Sequence, residues 1–149
     1  MVGEYAARSK KQIVMLKVSG EVITDLYKYV KASPIAAITP NIFKKARPLN
    51  FNGECIIINA LPITFDQVQE GVVNLNYIVP NLRIGSNPID ATQPNSVRLD
   101  AGEKVIAEVL KGVWEMNGYT FWVLQSTQMD GEPLTEWFVN FRIQYRNGI

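Results

Sequence analysis

The spacing of hydrophobic positions predicts two helices in this chain. From Ser19 onward apolar residues recur three and four positions apart, which is typical of a helix with one buried face. The Ser19 hydroxyl can cap that helix, and Pro34 ends it because the residue before a proline is pushed out of the α region. The first helix is therefore predicted over residues 19–32. A second, broader apolar face predicts a helix over residues 96–113.

Two strands are predicted between these helices. Residues 54–61 form an almost continuous apolar run, which indicates a strand buried on both faces and ended by Pro62. Residues 72–79 alternate instead, and Asn74 and Asn76 fall on the same side. That side is predicted to be partly solvated.

A hairpin is predicted at the end of the chain, from strands at residues 119–129 and 136–145 joined around Asp130-Gly131-Glu132-Pro133. One face of the last strand is apolar. The other carries polar and basic side chains with one aromatic: Phe138, Asn140, Arg142, Gln144 and Arg146. Such a mixture suits stacking on single-stranded nucleic acid, and it also suits a subunit interface. We favour the interface, because the recognition sequence of an RNA-binding sheet is missing and the net charge of the chain is near neutral.

The element order is α-β-β-α-β-β, which predicts an α+β fold. We expect a mainly antiparallel sheet of four to five strands packed with two helices. Residues 19–149 form a single domain in this interpretation, preceded by a basic, flexible N-terminal arm at residues 1–18. Residues 12–18 fit either a short strand or the approach to the helix, and residues 34–53 read as an irregular connection with room for one short strand.

A long loop rich in proline, residues 80–94, is the segment least like a packed element. Loops of this length in a compact domain are usually functional or disordered. We therefore predict contacts with other molecules from this loop and from two arginines of the last strand. The predicted contact residues are Leu82, Arg83, Ile84, Asn87, Ile89, Asp90, Gln93, Arg142 and Arg146.

The composition removes most catalytic chemistry. The chain has no histidine and one cysteine, which excludes Ser-His-Asp and Cys-His sites, histidine-ligated metals and an intrachain disulfide. No Gly-x-Gly pair exists, so neither a Walker loop nor a dinucleotide-binding loop can form. We expect no cofactor, no small-molecule substrate and no enzymatic activity. No apolar run approaches the roughly 20 residues of a membrane span, and no membrane association is expected.

Two carboxylate pairs and the cysteine are the remaining chemical candidates. Asp100 with Glu103, and Glu21 with Asp25, each share one side of a helix and could bind Mg²⁺ or act as acid and base. A solvated helix surface explains the same spacing, and we favour it because a catalytic carboxylate needs a partner from another element. Cys55 is expected to pack as a small apolar residue.

Charge is distributed unevenly along the sequence. Residues 1–47 hold nine basic and three acidic groups, a net +6, whereas residues 48–149 hold six basic and eleven acidic groups, a net −5. A basic segment of this kind can bind nucleic acid or an acidic surface. We favour a solvated helix face with a loose terminus as the explanation, because no block of five or six like charges is present.

The chain resembles the tail-completion, or tail terminator, proteins of long-tailed bacteriophages. The resemblance covers about residues 19–146, and it concerns the order of the elements and the general residue pattern within them. It rests on the segments VITDLYKYVKASPIAAI, ECIIINALPI, GVVNLNYIVP, LDAGEKVIAEVLKGV and FWVLQSTQMDGEPLTEWFVNFRIQYR. The extension of about 18 residues before the first helix departs from the family's usual short start.

This resemblance implies a non-enzymatic structural protein of the virion neck, assembled in the bacterial host cytoplasm. Copies of the chain would form a ring, commonly a hexamer, that completes the tail tube. Its partners would be the tail-tube protein and the head connector or stopper protein, and DNA would pass through the lumen without sequence-specific contact. The alternative is a nucleic-acid-binding module that uses the basic N-terminal third.

Overall fold

The computed structural model describes residues 16–114, 118–131 and 135–148. Helix α1 is Ser19–Lys31 and the short helix α2 is Ile35–Ile38. Strands β1 (Ile42–Lys44), β2 (Cys55–Ile63) and β3 (Gln69–Pro80) follow. Helix α3 is Ser96–Leu110, and the chain continues with β4 (Gly112–Trp114), β5 (Tyr119–Asp130) and β6 (Glu136–Asn147).

The strands form one mixed sheet of six, in the order β1-β2-β3-β6-β5-β4. Only β1 and β2 run parallel, and every other neighbouring pair is antiparallel. The α+β class and the mainly antiparallel sheet are confirmed. We expected four to five strands and two helices, whereas the described chain has six strands and three helices. The sequence pattern missed elements because β1, β4 and α2 have only three or four residues each.

Helix α1 lies within one residue of its predicted bounds, but its predicted cap is wrong. Ser19 is the first helical residue, and Val18 precedes it in an extended conformation. The Glu21 carboxylate accepts a hydrogen bond from the backbone N–H of Val18 at 3.2 Å. A side chain in the first turn therefore satisfies the backbone donor at this helix end.

Helix α3 ends three residues before its predicted boundary of residue 113. Asn95 caps it, with its side-chain oxygen accepting from the N–H of Arg98 at 3.3 Å. After Leu110 the chain leaves the helix at Gly112, and Gly112–Trp114 pair with β5 instead. Glycine is a poor helix residue, and the free edge of β5 offers Val113 a strand partner, so sheet pairing overrides the apolar periodicity.

Strand β2 continues past Pro62, which was predicted to end it. The β2–β3 register shifts between Ala60 and Ile63, so Pro62 lies at an irregularity where no ladder hydrogen bond is needed. The strand is buried on both faces only at its start, at Cys55 and Ile56, and its later residues are largely exposed.

The hydrophobic core lies between one face of the sheet and the helices. Its largest fully buried side chains come from α1, α2, α3 and four strands: Tyr77, Tyr145, Phe121, Phe141, Leu26, Ile35, Ile56, Ile58, Leu75, Leu99, Ile106 and Leu110. In the described chain the helices pack on this face alone. No helix there is both long and apolar enough to cross a membrane.

The predicted arm of residues 1–18 falls mostly outside the described residues, as does most of the 12–18 segment. Lys17 is described and is fixed to the fold. Its backbone N–H donates to the Gln69 side chain at 2.7 Å, the Gln69 amide donates back to the Lys17 carbonyl at 2.8 Å, and its ammonium group pairs with Asp25. The last three residues assigned to the arm thus lead directly into the domain.

Candidate protein-interaction surface

The second face of the sheet carries no helix in the described chain, and we call it the open face. Because strand residues alternate between faces, the residues opposite the core positions define it. Apart from the buried Cys55 and Ile78 at one end, they are half-buried or exposed and mostly polar: Ile57, Asn59, Val72, Asn74, Asn76, Thr120, Trp122, Gln125, Thr127, Met129, Phe138, Asn140, Arg142, Gln144 and Arg146. The predicted polar face of the last strand is therefore confirmed as the surface side of β6.

Asparagine side chains form the centre of the open face. The Asn140 amide donates to the Asn76 side-chain oxygen at 2.8 Å and to that of Asn74 at 3.4 Å. All three side chains are half-buried, and they bridge β3 and β6. Since amides keep both donors and acceptors available, this cluster can hydrogen-bond a partner's backbone without the cost of burying a net charge.

Two arginines flank this amide cluster. Arg142 lies opposite Asn74 on β3 and Gln125 on β5 and is exposed, and no acidic side chain lies within ion-pair distance of it in the described chain. Arg146 lies nearer the end of the strand and pairs loosely with Glu70, with its Nε 3.7 Å from a carboxylate oxygen. Both Arg146 and Glu70 are about half exposed, so their pair contributes little to stability.

The predicted contact loop, residues 82–93, is a small ordered hairpin. Ile84 and Asp90 exchange two backbone hydrogen bonds at 2.8 and 2.7 Å, and the Leu82 N–H donates to the Gln93 carbonyl at 2.9 Å. The Asp90 carboxylate accepts from the hydroxyl and the N–H of Thr92, which lowers its pKa below the ordinary value. The loop therefore presents a defined shape.

Apolar side chains project from this contact loop. Leu82, Ile84 and Ile89 are 41%, 48% and 44% exposed. Arg83, Asn87 and Gln93 are also exposed. Aliphatic groups mixed with polar ones on a projecting hairpin are what a protein–protein contact requires.

The structure separates the predicted contact residues into two regions. The contact loop follows Pro80, which pairs with Glu136 at one end of the sheet, whereas Arg146 pairs with Glu70 at the other. Ten residues of extended β6 separate Glu136 from Arg146, roughly 33 Å at 3.3 Å per residue. A partner that contacts both regions must therefore span the length of the sheet.

An ion pair that the sequence did not indicate anchors the β1–β2 connection across the open face. Arg47 donates two hydrogen bonds to the Glu136 carboxylate, at 2.8 and 2.6 Å. The carboxylate raises the pKa of Arg47 above its ordinary value. This connection covers the end of the open face, which explains why Cys55 and Ile78 are buried there. The pairing joins residues 89 apart, and neither position has a local pattern that marks it.

An open cleft of about 400 Å³ lies beside this ion pair, between the β1–β2 connection and the contact loop. Arg47, Arg83, Asn52 and Asn81 supply its polar wall. The cleft is continuous with the contact loop through Arg83 and Ala91, so it belongs to the same candidate interaction surface.

The candidate chemical groups are held in structural contacts. Asp100 and Glu103 both accept hydrogen bonds from the Gln128 amide, at 2.8 and 3.0 Å. The group that another element, β5, brings to this carboxylate pair is therefore an amide. Asp25 binds Lys17 and the Tyr145 hydroxyl. Burial raises the pKa of the Cys55 thiol, which disfavours the reactive thiolate. Within residues 16–114, 118–131 and 135–148, no three metal-ligating side chains converge.

The fold is similar to that of a chain in a solved particle, the virion of a native gene transfer agent. The match covers 81% of this chain and 90% of that chain with a TM-score of 0.55, at 14% sequence identity. A likeness at this identity concerns the fold alone. No protein-family model matches the sequence, and no curated protein matches it either.

Proposed function

We propose that this protein is a non-enzymatic structural component of a phage-like virion. The observation that carries the proposal is the shared fold with a chain of the gene transfer agent particle, which extends over 90% of that chain. Shared architecture over nearly a whole subunit suggests a shared role in assembly, although fold alone does not specify function. The open face and the contact loop supply surface for such a role.

More specifically, we propose a ring of identical subunits, with six as the expected number, that completes the tail tube and joins it to the head connector. The open face supports this proposal because its amide cluster and Arg142 are suited to a polar interface between copies. The contact loop, at one end of the sheet, then faces a neighbouring ring component. DNA passes through the lumen without base-specific contacts.

Ring formation also suits the sheet edges. Both edge strands, β1 and β4, have three residues, so longer inner strands extend beyond them. Exposed strand edges promote uncontrolled association unless they are covered. In a closed ring each subunit can cover an edge of its neighbour, and the association stops when the ring closes.

The mass of the purified full-length protein in solution, measured by light scattering after size exclusion, tests the ring. Six copies of the 16.8 kDa chain give about 101 kDa (6 × 16.8). Arg142→Glu should reduce the assembled fraction, whereas the control Lys28→Glu, on the exposed side of α1, should leave it unchanged. A wild-type protein that stays at 16.8 kDa at high concentration, with or without tail tubes, would refute the ring.

A further inference from the structure

The two broad sides of this fold differ from each other. The open face is one side of the sheet, and the helices of the described chain pack on the other side. A subunit of a closed ring binds its two neighbours through two different surfaces, because the same contact repeats around the ring. The open face of one copy can therefore dock on the helix side of the next.

Charge makes α1 a poor partner for the open face. Lysines outnumber carboxylates on the surface around this helix: Lys17, Lys28, Lys31 and Lys44 against Glu21 and Asp25. Arg142, the open-face cation without an ion-pair partner in the described chain, has the same sign. Like charges that face each other across an interface repel, so the open face is not expected to dock on α1.

The side of α3 next to β5 is acidic instead. Asp100 and Glu103 both accept hydrogen bonds from the Gln128 side chain, which holds the two carboxylates close together. Neither carboxylate is within ion-pair distance of a lysine or arginine among the residues that the structure describes. Because the Gln128 amide is neutral, both negative charges remain available to a cation of another molecule.

The sheet separates this acidic pair from Arg142 within one copy. Arg142 lies on the open face opposite Gln125 of β5, whereas Gln128 of the same strand contacts α3 on the helix side. Three residues of strand separate the two glutamines, roughly 10 Å. The cation and the acidic pair are thus at a similar level along β5 but on opposite sides of the sheet. Two copies stacked in the same orientation bring them together.

From these observations we infer that the open face of one copy docks on the β5 side of α3 in the next, with Arg142 paired to Asp100 and Glu103. This inference rests on the proposed self-assembly and names the contact that carries it. A guanidinium group has five N–H donors in a planar fork, so it can bind both carboxylates at once. Repetition of this contact continues from copy to copy until the ring closes.

Cross-linking between copies tests the inference. Thr127→Cys lies on the open face, and Lys104→Cys lies on the exposed surface of α3, so the charges that carry the contact stay intact. The two variants are co-expressed, one with a mass tag, and oxidised. Each chain carries one new cysteine, and the native Cys55 is fully buried. Asp66→Cys, on the exposed β2–β3 connection, replaces Lys104→Cys in the control.

We expect the Thr127–Lys104 interchain product to exceed the Thr127–Asp66 product about tenfold, because α3 of one copy lies against the open face of the next. A predominant Thr127–Thr127 product would show that two open faces pack on each other, which overturns the inference. Assembled protein whose Thr127–Lys104 product does not exceed the control would also overturn it, while leaving the proposed ring intact. Wild-type protein that does not self-associate would instead refute both.

Charge exchange gives a second, independent test. Arg142→Glu should weaken self-association about tenfold, and so should Asp100→Arg, because each substitution places like charges opposite each other. Combining the two should return the affinity to within about threefold of wild type. Asp66→Arg makes the same charge change away from the contact and should leave self-association unchanged. If the double variant associates as weakly as either single variant, the two residues do not face each other and the inference is wrong.

Discussion

The ring of Tyr77 lies directly against the backbone of Gly102. A Cβ atom at residue 102 would come within 2.2 Å of Tyr77 Cε2 and 2.7 Å of the tyrosine oxygen. The ring is fixed in this place because its hydroxyl donates to the Glu54 carboxylate at 2.8 Å, and Arg98 binds that same carboxylate. A glycine in α3 therefore sets how closely the helix approaches the sheet.

Gly102→Ala should destabilise the protein by about 2 kcal/mol, although alanine is the better helix former. The added methyl group has to displace either the Tyr77 ring or the helix. Gly20→Ala is the matched control, since Gly20 also lies in a helix and nothing lies within 4 Å of its Cβ position. Urea unfolding of both variants checks this, and equal midpoints would contradict the packing described here.

Alkaline pH should lower the stability of the folded protein through its buried tyrosines. Burial, reinforced by Glu54, raises the pKa of Tyr77 above the ordinary 10.0, and burial reinforced by Asp25 does the same for Tyr145. Because the folded state holds these protons more tightly, their contribution is complete below about pH 10 and is lost as the pH rises through the folded-state pKa values. The Cys55 thiol, whose pKa burial also raises, acts in the same direction.

Tyr77→Phe should accordingly cost about 1 kcal/mol at pH 7, through the lost hydrogen bond to Glu54. The difference from wild type should shrink above pH 10, since phenylalanine has no proton to lose. Unfolding midpoints measured between pH 7 and pH 11 give the comparison. A difference that stays constant over this range would show that Tyr77 does not titrate as its burial requires.

The Arg47–Glu136 pair should matter far more than the exposed pairs. Arg47→Met leaves a carboxylate that is only 11% exposed without its cation, which should cost about 2 kcal/mol. Lys111→Met removes a pair whose side chains are 72% and 70% exposed, at a cost below about 0.5 kcal/mol. Chemical denaturation measures both. Similar losses for the two variants would mean that the β1–β2 connection is not anchored by this ion pair.

The contact loop should contribute to assembly and little to stability. Ile84→Ser with Ile89→Ser should change the free energy of unfolding by less than about 0.5 kcal/mol, since both side chains are nearly half exposed. Binding to the partners proposed above, the tail tube and the head connector, should fall. Val97→Ser, at a position 83% exposed in the first turn of α3, serves as the control. Unchanged partner binding would remove the loop from the interface.

Local patterns predicted the longer elements well. The bounds of α1 were off by one residue, and alternation along β6 correctly separated its core side chains from Asn140 and Arg142. The errors fall where tertiary contacts outweigh local preference. β4 is a strand because β5 has a free edge for it, and the predicted helix ends early for that reason.

Parts of the candidate surface were not accessible from sequence for a similar reason. The exposed loop residues 82–93 follow from composition, because prolines and polar residues seldom pack. The Arg47–Glu136 ion pair joins positions far apart in the chain, and so does the close contact between the Gly102 backbone and the Tyr77 ring. A single sequence carries no local signal for such pairs, so the covered end of the open face was not predicted.

Electron microscopy of phage-like particles that incorporate an epitope-tagged copy of this protein, labelled with gold, tests the central claim most directly. The account predicts label at a single place on each particle, the junction of head and tail. Label spread along the tube or over the head, or particles without label beside tagged protein that stays in the host lysate, would contradict it.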